Sequence, residues 1–239
     1  QKGLMLPPGI SFNALSPKAI EASRAARLPK AFWAWDEIVE INKTGYWPYT
    51  PNTNLLYALV EAIDMIEAEG LPQVFARHQR LAAACRAAVS AWGLPVQCAD
   101  ASTYSPVLTG VVTPVGVDAD AVRRLIYEHY NLSLGTGLGQ LKGRMFRIGH
   151  LGDCNDLTLM AALSGVEMGL QLAGVATAGS GVLAAILIAG TSKAGGQIAF
   201  GVPAGRKVFV NCEDDALRDA CGSFFWLRRS PGSAPVSLT

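Results

Sequence analysis

Gln1-Lys2-Gly3-Leu4-Met5-Leu6-Pro7-Pro8-Gly9 opens the chain. A lysine stands between a side-chain amide and a glycine, and an apolar step and a rigid Pro-Pro-Gly turn follow it. A lysine held on a stiff loop beside apolar surface loses its proton more readily. Its free amine can then condense with a carbonyl to form a Schiff base. Taken alone, a lysine near a chain end is an ordinary solvated residue, and the remainder of the sequence has to decide between the two. The first residue is Gln1 rather than Met, which leaves room for the chain to be the back part of something longer.

The 239 residues are enough for a sizeable core, in one large domain or two small ones. Hydrophobic residues make up 50% and charged ones 16%, the balance of a globular rather than a disordered chain. Twenty basic against 19 acidic residues give a net charge of +1, so no nucleic-acid or anionic-membrane partner is expected. Cys85, Cys98, Cys154, Cys212 and Cys221 form neither a CxxC pair nor a His/Cys cluster. That spacing suits buried thiols in a reducing compartment, and no metal site is expected. No signal peptide opens the chain. The longest apolar run, Val182 to Ala189, falls short of the roughly 20 residues that a spanning helix requires. The ending Ser237-Leu238-Thr239 is not a peroxisomal address. A soluble, cytoplasmic protein is the expectation.

Outward from the lysine loop, Ile10 to Ala14 reads as a short buried strand. Ser16-Pro17 then starts a helix that runs on through Glu21 to Arg27 and stops at Leu28-Pro29. Ala31 to Thr44, rich in aromatics, reads as irregular or short helical structure. Gly45 to Thr53 carries two prolines and three aromatics and must be a structured loop with exposed hydroxyls. Leu55 to Glu69 has helical spacing and ends at Gly70. A second helix runs from Leu71-Pro72 to about Trp92, with Arg77, Arg80, Arg86 and His78 expected on its wet side. Past Gly93-Leu94-Pro95 the texture turns to β: Val96 to Cys98 and Val107 to Thr113. Asp118 caps a helix to Tyr130, Met145 to Ile148 is a strand, and Asn155 or Asp156 caps a long apolar helix to about Leu172. This β-β-α-β-α order predicts a small α+β domain, a sheet covered on one side by helices.

Two further stretches invite a chemical reading. Leu134 to Gly143 is glycine-rich, but it matches neither the dinucleotide fingerprint nor the P-loop and reads as a flexible surface turn. Arg147 interrupts an apolar strand and is followed by glycines, a setting suited to a bidentate grip on a carboxylate. The plain alternative is an arginine paired within the fold. His150 and His129 read as ordinary packed or surface histidines.

Three of these motifs occur together in a familiar order and spacing: the lysine loop, Tyr49-Thr50-Pro51 leading into Asn54-Leu55-Leu56-Tyr57, and Arg147-Ile148-Gly149-His150-Leu151-Gly152-Asp153. In these, from Gln1 to about Ala189, the chain resembles the class V, fold-type I aminotransferases that use pyridoxal 5′-phosphate (PLP). Within that family it is similar to the serine–glyoxylate and alanine–glyoxylate branch. The resemblance implies an α/β fold, the C-terminal part of a fold-type I PLP-dependent transferase. Residues 1–70 would be a remnant of the large PLP-binding domain with a linking helix. Residues 71–175 would be the small α+β domain, and 176–239 a family-like end grading into an unassigned tail.

The resemblance also implies roles. Lys2 would be the Schiff-base lysine and proton carrier, and Gln1 would help to hold the cofactor phosphate. Thr50, with Trp47, would reach the phosphate of a neighbouring subunit's cofactor, so a homodimer with shared sites is implied. Arg147 would pair with the carboxylate of an amino acid or 2-oxo acid. In the family, the carboxylate partner of the pyridine nitrogen and most of the phosphate loop lie upstream of the lysine. The 239 residues alone are therefore expected to be inactive, and the alternative to an enzyme is a truncated remnant that at most dimerises. A cysteine-desulfurase-like chemistry at Cys154 would need a mobile thiol, whereas Cys154 sits at a helix start.

Overall fold

The computed structural model describes residues 1–191. The tail motifs Lys207 to Val210 and Phe224 to Trp226, with Cys212 and Cys221, lie outside the described residues. The described residues divide into two compact units, the first of residues 1–68 and the second beginning at Glu69.

In the first unit a single 3-10 turn at Lys2–Leu4 is followed by α1 (Pro17–Ala25), a 3-10 turn at Ala31–Trp33, α2 (Trp35–Lys43) and α3 (Thr53–Glu69). Helix α1 starts where Ser16 and Pro17 dictate. The Ser16 hydroxyl accepts the Ala19 N–H at 3.2 Å, and proline fills the first position, where an N–H has no helical partner. Arg24 joins α1 to α2 through Asp36 at 2.9 Å, on an exposed surface. The expected strand at 10–14 does not form: those residues are irregular. An isolated extended run has no ladder to join, and among the described residues every strand lies beyond residue 100.

In the second unit three predicted helices and two predicted strands form, and a short strand and a further helix join them. Helix α4 (Leu71–Ala91) leads to β1 (Leu108–Val112), α5 (Ala119–Tyr130), β2 (Gly135–Thr136), β3 (Met145–Gly149), α6 (Asp156–Leu172) and α7 (Gly181–Thr191). Between α3 and α4 the chain turns at Gly70, whose φ of 83° is one that a side chain resists. The strands form an antiparallel sheet in the order β1-β3-β2, with β3 in the centre. Thr109 pairs with Ile148 and Val111 with Phe146, and all four are buried on one face. Leu81, Trp92, Ile126, Leu159, Leu163 and Leu170 from the helices close over that face. The Val96 to Cys98 strand shrinks to one bridge between Val96 and Val111. The glycine-rich stretch is not a free surface turn, because part of it is β2, paired to β3.

Helix α7 is seated by α6. Glu167 accepts the Trp92 indole N–H at 2.8 Å and the Gly181 N–H at 2.7 Å, so a carboxylate from one helix caps the next. The wet side expected for α4 is corrected at three positions. Arg80 is ion-paired with the buried Asp156. Arg77 donates to Glu69 at 2.6 Å and to the carbonyls of Gly152 and Cys154 at 2.9 and 2.7 Å. His78 is buried, with Nδ1 2.7 Å from the Val74 carbonyl. An arginine stem can cross an apolar helix face provided its fork reaches partners, and here they are Glu69 at the end of α3, the loop after β3 and Asp156 at the start of α6.

Candidate functional site

Lys2 is exposed, and its φ is 62°. A non-glycine residue in this left-handed region carries roughly 1–2 kcal/mol of strain. The loop holds it there. Met5 N–H donates to the Lys2 carbonyl at 2.9 Å, Leu6 is buried, and Gly9 lies so close to α3 that a Cβ there would come within 2.9 Å of Leu55 Cδ1. The lysine is thus presented to solvent from a fixed backbone, and Gln1 beside it is exposed as well.

The aromatic loop before α3 is the second cluster in this unit. Trp47 is 50% exposed and Thr50 is also open to solvent. Tyr49 stacks at 4.6 Å on Phe32, which meets Trp33 edge-on at 5.3 Å. Asn52 Oδ1 accepts the Leu55 N–H at 3.2 Å, fixing the start of α3 right after Thr50 and Pro51. The structure brings the end of the lysine loop, at Gly9, against this helix start.

In the second unit Arg147 is half-buried in the centre of β3. Its in-register neighbours are Gly110 on β1 and Gly135 on β2, so neither flank carries a side chain. Its Nε donates to the Thr136 carbonyl at 2.8 Å. The plain alternative of an arginine salt-bridged within the fold is not what is seen at this Nε: its acceptor is a backbone carbonyl. Sequence reading singled out Arg147 but not the two flanking glycines. A glycine inside the predicted strand Val107 to Thr113 was the available signal for Gly110, whereas Gly135 lay in a stretch read as a surface turn.

His150, read as an ordinary packed or surface histidine, is fully buried. Nε2 lies 2.9 Å from the Thr109 hydroxyl, and Nδ1 has no hydrogen-bond partner among the described residues. Burial above all, helped by the charges of Arg86 and His78, lowers its pKa to about 4. It is a neutral packing group. Cys154 offers no mobile thiolate: burial pushes its pKa up and its Sγ sits 3.4 Å from the Thr158 hydroxyl. Burial likewise raises Cys85 to about 12. Among the described residues no group of three His, Cys, Asp or Glu side chains forms a metal site, and no helix is long and apolar enough to cross a membrane.

Known proteins supply the remaining comparison. No family model matches the chain. The chain is 45% identical over 187 residues to serine–glyoxylate aminotransferase of Arabidopsis thaliana, covering 77% of this chain and 47% of that protein. It is 42% identical over 190 residues to L-aspartate–glyoxylate aminotransferase of Paracoccus denitrificans, covering 77% and 47%. Over about three quarters of its length the chain resembles the class V aminotransferases. Its fold agrees: the crystal structure of ureidoglycine–glyoxylate aminotransferase from Bacillus subtilis superposes with a TM-score of 0.67 at 27% identity, over 78% of this chain and 49% of that one. The chain spans about half the length of the curated relatives it matches. Aminotransferases of this family use PLP, and amino and 2-oxo acids are their substrates.

Proposed function

We propose that the chain is the C-terminal part of a PLP-dependent aminotransferase that hands an amino group to glyoxylate. The observation that carries this is the acceptor shared by the three relatives described: each is named for glyoxylate, with serine, aspartate or ureidoglycine as its partner. The donor is therefore the variable part, and serine or alanine is our assignment.

The residues present fit the cofactor in kind. Lys2 offers an exposed amine on a fixed loop, and Thr50 an exposed hydroxyl beside an ordered helix start. Lys2 would hold the cofactor covalently and, once its amine is released, take up and return the proton of the substrate Cα. Gln1 and Thr50, with Trp47, would hold its phosphate, the last two across a homodimer. When bound, PLP supplies the electron sink that makes the substrate Cα–H acidic. Arg147 would orient the substrate carboxylate, and its fork suits that anion better than a lysine would. We place the reaction in the cytoplasm, with small-molecule amino and 2-oxo acids as partners.

A second reading is a catalytically silent remnant that at most dimerises. One experiment separates the two. The intact protein that carries these residues, purified from its native source, is incubated with PLP, dialysed, and assayed for glycine formed from glyoxylate with serine, alanine or aspartate as donor. The enzyme reading expects visible cofactor absorbance to survive dialysis in the wild type and to vanish in Lys2→Ala. Absorbance retained by Lys2→Ala removes the lysine assignment. Absence of both absorbance and turnover in the wild type leaves the remnant.

A further inference from the structure

Arg147 does not stand alone on its sheet. Its side chain lies across β2, where a Cβ on Gly135 would come within 3.0 Å of Nε, 3.1 Å of Cβ and 3.4 Å of Cζ. The space that the guanidinium occupies exists because residue 135 has no side chain. The same strand supplies the acceptor for Nε, the Thr136 carbonyl at 2.8 Å. That bond fixes the plane of the fork.

β2 is only two residues long, too short to hold its own position at a sheet edge. The first turn of α5 holds it on both sides of Gly135. Asp120 Oδ1 accepts the Thr136 hydroxyl at 2.8 Å and Arg123 Nη1 at 2.9 Å. Arg123 in turn donates through Nε and Nη2 to the Leu134 carbonyl at 2.7 and 2.5 Å. A continuous set of bonds therefore runs from α5, through residues 134–136, to the arginine. The Thr136 and Arg123 contacts also hold the Asp120 carboxyl below its usual range, although burial works slightly the other way.

We propose that Asp120, Arg123, Gly135 and Thr136 form a positioning set that aims the Arg147 guanidinium at the substrate carboxylate. The proposal rests on the reading of Arg147 as the carboxylate partner. None of the four touches substrate. Their effect falls on binding of both the amino acid and the 2-oxo acid, because both present the same carboxylate, and not on proton transfer.

The test is steady-state kinetics of the PLP-loaded protein, with Arg147→Lys as reference. Asp120→Ala, Thr136→Val and Gly135→Ala should each raise KM for glyoxylate and for the amino donor about fivefold to tenfold with kcat changed less than about twofold. Thr136→Ser keeps the hydroxyl and should restore KM to near the wild-type value. If Arg147→Lys raises both KM values while Asp120→Ala and Thr136→Val do not, the positioning set is overturned and the carboxylate reading survives. If Arg147→Lys leaves KM unchanged, the carboxylate reading itself falls. A readout without turnover uses the 239-residue chain and NMR of the Arg147 Nε–H. Exchange of that proton with water should speed up in Gly135→Ala and Thr136→Val and stay slow in Thr136→Ser. Equal exchange in all three would show that the bond to Thr136 does not hold the side chain.

Discussion

The two units of this chain divide core and chemistry unequally. Residues 1–68 carry Lys2, Trp47 and Thr50, yet Leu6, Leu55 and Ala62 are the buried apolar residues there, while Phe12, Leu28, Trp33 and Tyr57 are all more than 60% exposed. The second unit gathers more than twenty buried apolar residues into one continuous cluster and places Arg147 on the less buried face of its sheet. Hydrophobic burial is the main stabilising term, and it needs surface to remove from water. The second unit therefore has the means to hold its own shape. The first offers apolar surface that its own residues do not cover, and such surface marks a place where another element packs.

The sharpest way to break this comparison is a core deletion. Phe146, fully buried on β3, loses its contacts with the covering helices in Phe146→Ala, and a loss of about 3–5 kcal/mol is expected. Leu6→Ala should leave the main denaturation transition where it was. Guanidinium melts followed by far-UV circular dichroism check both. If Leu6→Ala shifts the midpoint as far as Phe146→Ala, the two units share one cooperative core and the contrast is wrong. Next in size is an ion-pair test. Arg80→Ala leaves Asp156 buried without its partner, with an expected loss of about 3 kcal/mol. Arg24→Ala removes the exposed pairs with Glu21 and Asp36 and should not move the midpoint measurably.

How much of this was legible in the sequence follows the same divide. Helices α1, α5 and α6 begin at Ser16, Asp118 and Asn155, since capping is local chemistry written within four residues. The apolar strand that Arg147 interrupts was equally plain. The Lys2, Thr50 and Arg147 motifs marked the family without any coordinates. The surroundings of α4 were not legible. Its alanine-rich sequence gives no clear apolar stripe, and Arg77 and Arg80 find partners 75 to 77 positions away, at Gly152, Cys154 and Asp156. The false strand at Ile10 to Ala14 failed for a related reason. Alternating Ile10, Phe12 and Ala14 look like a strand in isolation, but only a neighbouring strand can make them one. The positioning of Arg147 by Asp120 and Thr136 depended on contacts 11 and 16 residues apart, beyond any local pattern.

Acid should act on one unit only. All three histidines, His78, His129 and His150, lie beyond residue 68. His150 titrates near pH 4 in the folded chain and near 6.5 when unfolded, so between those values the unfolded chain binds the extra proton. Stability is therefore full above about pH 6.5 and falls as pH drops toward 4, by about 2–3 kcal/mol. Melting temperature measured from pH 7.5 to 4.5 should decline in the wild type and flatten in His150→Gln. An unchanged slope in the variant would remove His150 as its cause, since the lowered carboxyls of Asp120 and Glu167 act only at more acidic pH.

The smallest expected difference is between two caps of similar chemistry. Asn155 Oδ1 accepts the Thr158 N–H at 3.0 Å, and the Thr158 hydroxyl accepts the Asn155 N–H at 2.9 Å, a reciprocal pair at the start of α6. Ser16 does the single-bond version for α1 at 3.2 Å. Replacing a cap by alanine costs about 1 kcal/mol of helix stability in either place. That loss reaches the whole fold only if the helix cannot fray independently. Helix α6 buries eight residues, including Leu163 and Leu170, and cannot open its first turn without exposing part of the core. Helix α1 buries none, so its first turn can open alone. Asn155→Ala should therefore lower the denaturation midpoint, whereas Ser16→Ala should leave it unchanged and speed amide exchange at Ala19. Equal midpoint shifts in the two variants would mean that α1 is coupled to a core after all.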